Sequence, residues 1–254
     1  MSYEHLAGFY DRLNRSINYE KWADDVSALL AKKGITRGRE IFDAACGTGR
    51  MTLALAHRGY CMTGIDLSPE MLSLAKKASD DEGLGILFVC EDISALSLGK
   101  VYDAGVCCLD SLNYVTRDGG LDGFFSRAAA HISGGGLLFF DVNSEYKFSK
   151  IYANNSYVYD EDEVFCVWQN YYSARRKLCD FDLTFFVKNP DGSYRRESES
   201  QRERYYPDEE ILSLLDKNGF DLLYLRGDHD FSGEPGISVL PEDERHYFVA
   251  VRRD

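Results

Sequence analysis

Apolar positions along the chain switch repeatedly between a helical spacing and short unbroken runs. Leu6, Phe9, Tyr10 and Leu13 share one helical face, and Tyr19, Trp22, Ala23, Val26, Leu29 and Leu30 share another in a second helix ending near Gly34. Residues 40–45 fit a buried strand and lead through Cys46-Gly47-Thr48-Gly49 into the apolar-periodic stretch 51–57. Residues 61–66 read as the next strand. Ser68-Pro69-Glu70 after it is a helix start, with Ser as the cap and Pro at the first helical position. Residues 86–90 and 102–108 read as further strands, and Leu121, Phe124, Phe125, Ala128 and Ile132 mark a helix. Residues 134–142 supply a fifth strand. Strand and helix alternate five times, which predicts a doubly wound parallel α/β sheet.

The pattern breaks after Val142. No helical spacing is evident over 143–206, where three long runs have strand character. Asn189-Pro190-Asp191-Gly192, between the last two, reads as a turn, since Pro presets φ and Gly supplies a positive one. This stretch is expected to be an antiparallel meander inserted into the α/β domain, which then comprises 1–142 and 207–254. Pro207 opens a helix through Ile211, Leu212, Leu214 and Leu215, which stops at Asn218-Gly219, and two last strands follow. The polar, Gly- and Pro-bearing stretch 227–244 between them reads as a loop.

Composition narrows the function. Of 254 residues, 29 are Lys or Arg and 42 are Asp or Glu, a net charge of −13. Such a surface repels a phosphate backbone, so nucleic acid is not an expected partner. The apolar runs are strand-sized and far short of a membrane span. The first residues carry two acids and no apolar signal core, which predicts a cytoplasmic protein. The seven cysteines show no metal-ligand spacing and sit mostly in buried-looking runs, so no metal is expected.

The strongest chemical signal is Asp43-Ala44-Ala45-Cys46-Gly47-Thr48-Gly49 between a strand and a helix. Small residues there let the backbone turn tightly and approach a ligand. Asp66 ends the second strand roughly twenty residues on, where an acid binds ribose hydroxyls. A dinucleotide turn requires a third glycine, but Thr52 occupies that position. Asp43 beside the turn opposes a pyrophosphate and suits a cation. S-adenosylmethionine (SAM) carries a sulfonium and an ammonium and no phosphate, so the electrostatics favour it.

These residues resemble the first motif of the class I SAM-dependent methyltransferases, [D/E]xGxGxG, with Ala45 in place of the first glycine. The resemblance covers nearly the whole chain and implies a Rossmann-like sheet of six parallel strands and a seventh, antiparallel one. It implies that Asp43 and the turn of Ala45, Cys46, Gly47 and Gly49 hold the methionine moiety and that Asp66 bridges the ribose hydroxyls. Leu67 and Met71 would lie beside the adenine, with Asp92 accepting from its amine and Ile93 donating a backbone N–H. Cys108 and Leu109 would lie next to the sulfonium. The N-terminal FYDRL and YEKW resemble a small-molecule subgroup with a β insertion after strand five, including sugar-amine N-methyltransferases, in which Tyr10 would cover the SAM site.

Ligands of open α/β sheets bind at the carboxyl ends of the parallel strands. The loops after strands four and five therefore face the methyl acceptor, placing Asn113 and Tyr114 beside it. The antiparallel last strand begins at the same edge and brings Arg245 and His246 there. Tyr114 and His246 are the candidate catalytic groups, His246 because imidazole titrates nearest neutral pH. Trp168, Tyr171 and Arg204 of the insertion are candidate acceptor contacts. The expected activity is methyl transfer to N or O of a small molecule by a monomer or homodimer. The alternatives are a non-catalytic SAM-binding protein on the same scaffold and a nicotinamide-dependent oxidoreductase.

Overall fold

The computed structural model describes residues 17–227 and 231–254. The expected first helix, with Tyr10, lies outside them. Helix α1 (Tyr19–Lys32) precedes five strands with three helices among them, and β3 joins β4 without an intervening α-helix: β1 (Glu40–Ala44), α2 (Arg50–His57), β2 (Cys61–Asp66), α3 (Pro69–Asp81), β3 (Leu87–Cys90), β4 (Tyr102–Cys107), α4 (Gly120–His131) and β5 (Ile132–Asn143). After β5 come β6 (Ser156–Glu161), β7 (Val164–Ser173), β8 (Leu178–Lys188) and β9 (Tyr194–Arg204). The chain ends with α5 (Asp208–Lys217), β10 (Phe220–Arg226), β11 (Gly236–Ser238) and β12 (Arg245–Arg252).

The main sheet has the order β11-β10-β12-β5-β4-β1-β2-β3. Strands β1 to β5 run parallel, and β12 is antiparallel to both β5 and β10. The six-plus-one arrangement is present, with an eighth strand added at one rim. That strand, β11, lies within the stretch expected to be a loop and pairs in parallel with β10. Backbone pairing needs no apolar side chain, so the polar composition concealed it.

Neighbouring residues of each central strand serve opposite faces, as the pleat requires. Ile41, Val106 and Phe139 pack under α1 and α2 in one core, whereas Phe42, Cys107 and Phe140 pack under α4 and α5 in the other. Burial on both faces explains why these strands read as unbroken apolar runs. The helix starts follow local chemistry: Ser68 Oγ accepts from Met71 N–H at 3.2 Å ahead of α3, with Pro69 in the first turn.

Strands β6–β9 form a separate antiparallel sheet with its own core of Phe148, Val164, Cys166, Cys179, Phe181, Leu183 and Phe185. The Asn189–Gly192 turn joins β8 to β9 with Gly192 at φ +85°. One turn of π-helix, Lys147–Tyr152, departs from the helix-free reading of this stretch. It inserts Phe148 into the meander core, where the ring packs against Tyr152, Tyr172 and Tyr205. Among the described residues no helix is long and apolar enough to cross a membrane.

Candidate active site

The glycine turn is built by backbone conformations that small residues tolerate. Ala45, Gly47 and Gly49 all have positive φ, at 56°, 55° and 81°. A Cβ on Gly49 would lie 2.9 Å from the Cβ of Ala75, so glycine there lets α3 pack against the start of α2. Gly47 meets nothing within 4 Å on its side-chain face and lines an open cavity.

Two acids brace this turn. Asp66 accepts from Gly47 N–H through Oδ2 and from Ser68 N–H through Oδ1, both at 2.8 Å, and still lines the cavity. Burial raises its pKa above the usual carboxylate value against those hydrogen bonds. Asp43 is buried beneath the turn and does not line the cavity. Its Oδ2 accepts from Thr52 Oγ1. Thr52, which breaks the dinucleotide fingerprint, is therefore the partner of the motif's acid. Burial pushes Asp43 up to about 7, with Asp66 adding to the rise and Thr52 opposing it.

The cavity measures about 640 Å³ and runs along the carboxyl ends of the parallel strands. Of the expected cofactor contacts, Ala45, Gly47, Asp66, Leu67, Met71, Asp92, Ile93 and Leu109 line it. Asp92 also caps the short turn after β3 by accepting from Ser94 N–H at 2.8 Å. Its pKa is lowered: burial works against this, but the Ser94 hydrogen bonds and Arg117 outweigh it. Cys46, Gly49 and Cys108 do not line the cavity and serve as packing behind it.

At the other end of the cavity, an ionic cluster shapes the loop after β4. Asp141 on β5 accepts from Leu109 N–H at 2.7 Å and Asp110 N–H at 2.8 Å, and its Oδ2 also accepts from Arg245. Arg245 donates its other Nη to Asp110 Oδ1 at 2.8 Å. These bonds hold Leu109 and Asp110 at φ 62° and 51°, a conformation costing a non-glycine residue about 1 kcal/mol or more. Both residues line the cavity, as do Tyr114 and Arg245.

The inserted sheet supplies the opposite wall, with Tyr157, Tyr159, Trp168, Leu183, Gln201 and Glu203. Tyr114 OH donates to Gln201 Oε1 at 3.2 Å and so links the β4 loop to this wall. Glu203 is buried and accepts from Asn143 Nδ2 at 2.9 Å. Burial pushes its pKa up to about 8, and Asp110 raises it further against Asn143, Lys147 and Tyr114. Lys147 also lines the cavity, and burial lowers its pKa.

Four expected acceptor contacts are placed elsewhere. His246 does not line the cavity; its Nδ1 meets Asp208 Oδ1 at 2.8 Å. Arg204 faces away and pairs with Glu210. Tyr171 is exposed on the outer face of β7. Asn113 is fully buried, donating to Arg204 O at 2.8 Å and accepting from Asn143 N–H at 2.9 Å, so it clamps β5 to β9. The first three share one cause, because alternate residues of a strand face opposite ways. Arg245 faces the cavity, so His246 cannot; Glu203 does, so Arg204 cannot; Trp168 does, so Tyr171 cannot. Counting that parity from one inward residue would have found Gln201 and Glu203.

The residue set fits SAM. Two carboxylates, Asp43 and Asp66, brace the glycine turn, and the face of Gly47 is open to a ligand. Residues 41–136 match the methyltransferase domain family. The chain is 33% identical to the methyltransferase-family protein YqeM of Bacillus subtilis (strain 168) over 99% of this chain and 98% of that one. A solved SAM-dependent methyltransferase of Clostridium acetobutylicum superposes with a TM-score of 0.87 at 31% identity, covering 99% of both chains. The sugar N-methyltransferase KedS8 of a Streptoalloteichus species shares the fold, with a TM-score of 0.76 at 21% identity over 96% of this chain and 93% of that one.

Proposed function

The chain belongs to the class I SAM-dependent methyltransferases, and we propose that it methylates a nitrogen or oxygen of a small molecule held under the inserted sheet. Family membership removes the nicotinamide alternative. The observation that supports the finer reading is the continuity of the cavity described above. The cavity runs from Gly47, Asp66 and Asp92 to Tyr114, Trp168 and Glu203, and its volume falls in the range of small-molecule sites, about 300–1,000 Å³.

In this reading the Ala45–Gly49 turn receives the methionine end of SAM, with Asp43 beneath it as the balancing acid. Asp66 keeps lone-pair capacity for ribose hydroxyls beyond what the backbone N–H groups around it use. Asp92 and Ile93, with Leu67 and Met71, form the adenine slot. SAM supplies an electrophilic methyl group on a good leaving group, so alignment provides most of the acceleration. The protein's part is to hold the acceptor atom in line and to keep water out with the aromatic wall of the insertion.

The test separates acceptor classes by size. Release of S-adenosylhomocysteine should be stimulated by the low-molecular-mass fraction of a cell extract and not by its protein or nucleic-acid fractions. Stimulation by the macromolecular fractions alone would overturn the small-molecule assignment. SAM binding with no release in any fraction would favour the non-catalytic alternative.

A further inference from the structure

Glu203 stands apart from the other acids of the cavity. It is 1% exposed, on the inward face of β9, and lines the acceptor end. Among the described residues no Lys or Arg reaches ion-pair distance of its carboxyl, whose oxygen is oriented by Asn143 Nδ2. Asp110 and Asp141, by contrast, share the Arg245 guanidinium. The groups facing Glu203 are Asp110 and Tyr114 from the loop after β4, Lys147 and Tyr152 from the π-turn, and Cys179 from β8. The remaining wall is aromatic: Tyr157, Tyr159 and Trp168.

We propose that Glu203 is the proton-accepting catalytic residue of this site and that the methyl acceptor is an amine. The inference rests on the methyltransferase reading above and deepens it. In its ionised form the Glu203 carboxylate, under aromatic faces and with no Lys or Arg at ion-pair distance among the described residues, attracts a cation, which an ammonium is and an alcohol or phenol is not. The ammonium must shed a proton before its nitrogen can attack. That proton passes from R–NH3+ to the Glu203 carboxylate, leaving R–NH2 and a neutral carboxyl. The nitrogen lone pair then forms the N–CH3 bond as the C–S bond breaks and its electron pair stays on sulfur. The products are R–NH2+–CH3 and S-adenosylhomocysteine, and Glu203 returns its proton to water on product release.

Burial makes this transfer feasible. An alkylamine loses its proton near pH 10.4 and an ordinary glutamate near 4.3, a gap of about 6 units. A carboxyl pushed up to about 8 shortens the gap to about 2–3 units. Trp168 Nε1 adds a detail: it is a buried donor in the wall with no partner among the described residues, so the amine is expected to carry an oxygen that meets it.

The experiment has two arms. Benzylamine, cyclohexylamine, trans-2-aminocyclohexanol and glucosamine are assayed for S-adenosylhomocysteine release beside benzyl alcohol, cyclohexanol, trans-1,2-cyclohexanediol, glucose and phenol. The expected result is release with amines only. The second arm is independent of turnover: with glutamate labelled at the carboxyl carbon, one NMR signal should titrate near pH 8 and be absent from Glu203→Gln. The variant keeps an oxygen for Asn143 and should also lose the acid limb of kcat/KM while its SAM dissociation constant stays within a few-fold. SAM binding with release by the hydroxyl compounds, or by none of the amines, overturns the inference and leaves the methyltransferase reading standing. All glutamate signals titrating below about pH 6 would overturn the role of Glu203. Loss of SAM binding by the wild-type protein would defeat the reading itself.

Discussion

Arg245 and His246 are neighbours on β12 and serve opposite faces of the sheet. The guanidinium closes the Asp141–Asp110 cluster under the acceptor loop, whereas the imidazole pairs with Asp208 at the start of α5. Their variants should therefore differ in kind. Arg245→Met strands the buried Asp141 and the half-buried Asp110 and should cost about 3–5 kcal/mol of stability. His246→Gln breaks a partly exposed pair worth about 1 kcal/mol or less and should leave kcat within a few-fold. Denaturant titration and steady-state kinetics of both variants check this. A His246→Gln enzyme that stays folded but loses turnover would restore the histidine as a catalytic group.

Asp66 is the most exacting test of the cofactor end. Charge-assisted hydrogen bonds contribute about 1.5–3 kcal/mol each, so Asp66→Ala should weaken SAM binding roughly ten- to a hundredfold. Asp66 also ties Gly47 to Ser68, so Asp66→Asn is the control that keeps an oxygen for one of them. Calorimetry giving an unchanged dissociation constant in a folded Asp66→Ala protein would refute the ribose assignment.

No catalytic cysteine is expected. Burial raises the pKa of Cys46, Cys107 and Cys108 well above the ordinary thiol value, and pushes Cys166 to about 11 and Cys179 to about 12. None is a ready thiolate at neutral pH. Cys108→Ala should keep turnover within about an order of magnitude, the effect of a packing change near 1.4 kcal/mol. Abolished turnover with SAM binding intact would contradict this.

Stability should fall as pH rises through neutrality. Folding raises Asp43 to about 7 and Glu203 to about 8, and raises Asp66 and Asp141 in the same direction. The folded chain therefore retains protons that the unfolded chain has already lost. Its advantage is complete below the ordinary carboxylate range and disappears as pH passes about 7 and then about 8. The Tm of the ligand-free protein should decline from about pH 5 to about pH 8.5, with Asp43→Asn and Glu203→Gln each flattening the decline. A Tm that climbs over that interval would show that these acids are ionised in the folded state.

The wall supplied by the insertion should govern the acceptor and not the cofactor. Trp168→Ala and Tyr157→Ala remove cavity-lining rings from β7 and β6. Both should raise the KM of the acceptor or lower its kcat, with the SAM dissociation constant unchanged within a few-fold. Equal losses in both substrates would mean that the sheet supports the whole cavity and does not select the acceptor.

The cofactor end was legible because its chemistry is local. A glycine turn, a helix cap at Ser68 and acids at successive strand ends are all read within a few residues. The acceptor end was legible only to within one residue. Arg204 and Tyr171 mark the right strands but the wrong faces, since a parity choice in a polar run such as 194–204 has no apolar stripe to anchor it. Lys147 and Asp110 depend on tertiary contacts across more than ninety positions, with Arg245 the common partner, and no sequence spacing announces them. The β11 pairing was hidden for a related reason: it is carried by backbone alone.

The brevity of the two outermost strands of the main sheet has its own consequence. An open sheet ends in two rows of unpaired amides, the natural seed for chain-to-chain stacking. Here those rows belong to β3, four residues long, and β11, three residues long, so a second copy would find only a few backbone groups to zip onto. The longest rim among the described residues is β9, and there Arg195, Arg196 and Arg202 are exposed. Shortness at both rims of the eight-stranded sheet and exposed arginines along β9 thus work against strand pairing between chains at three of the four sheet edges.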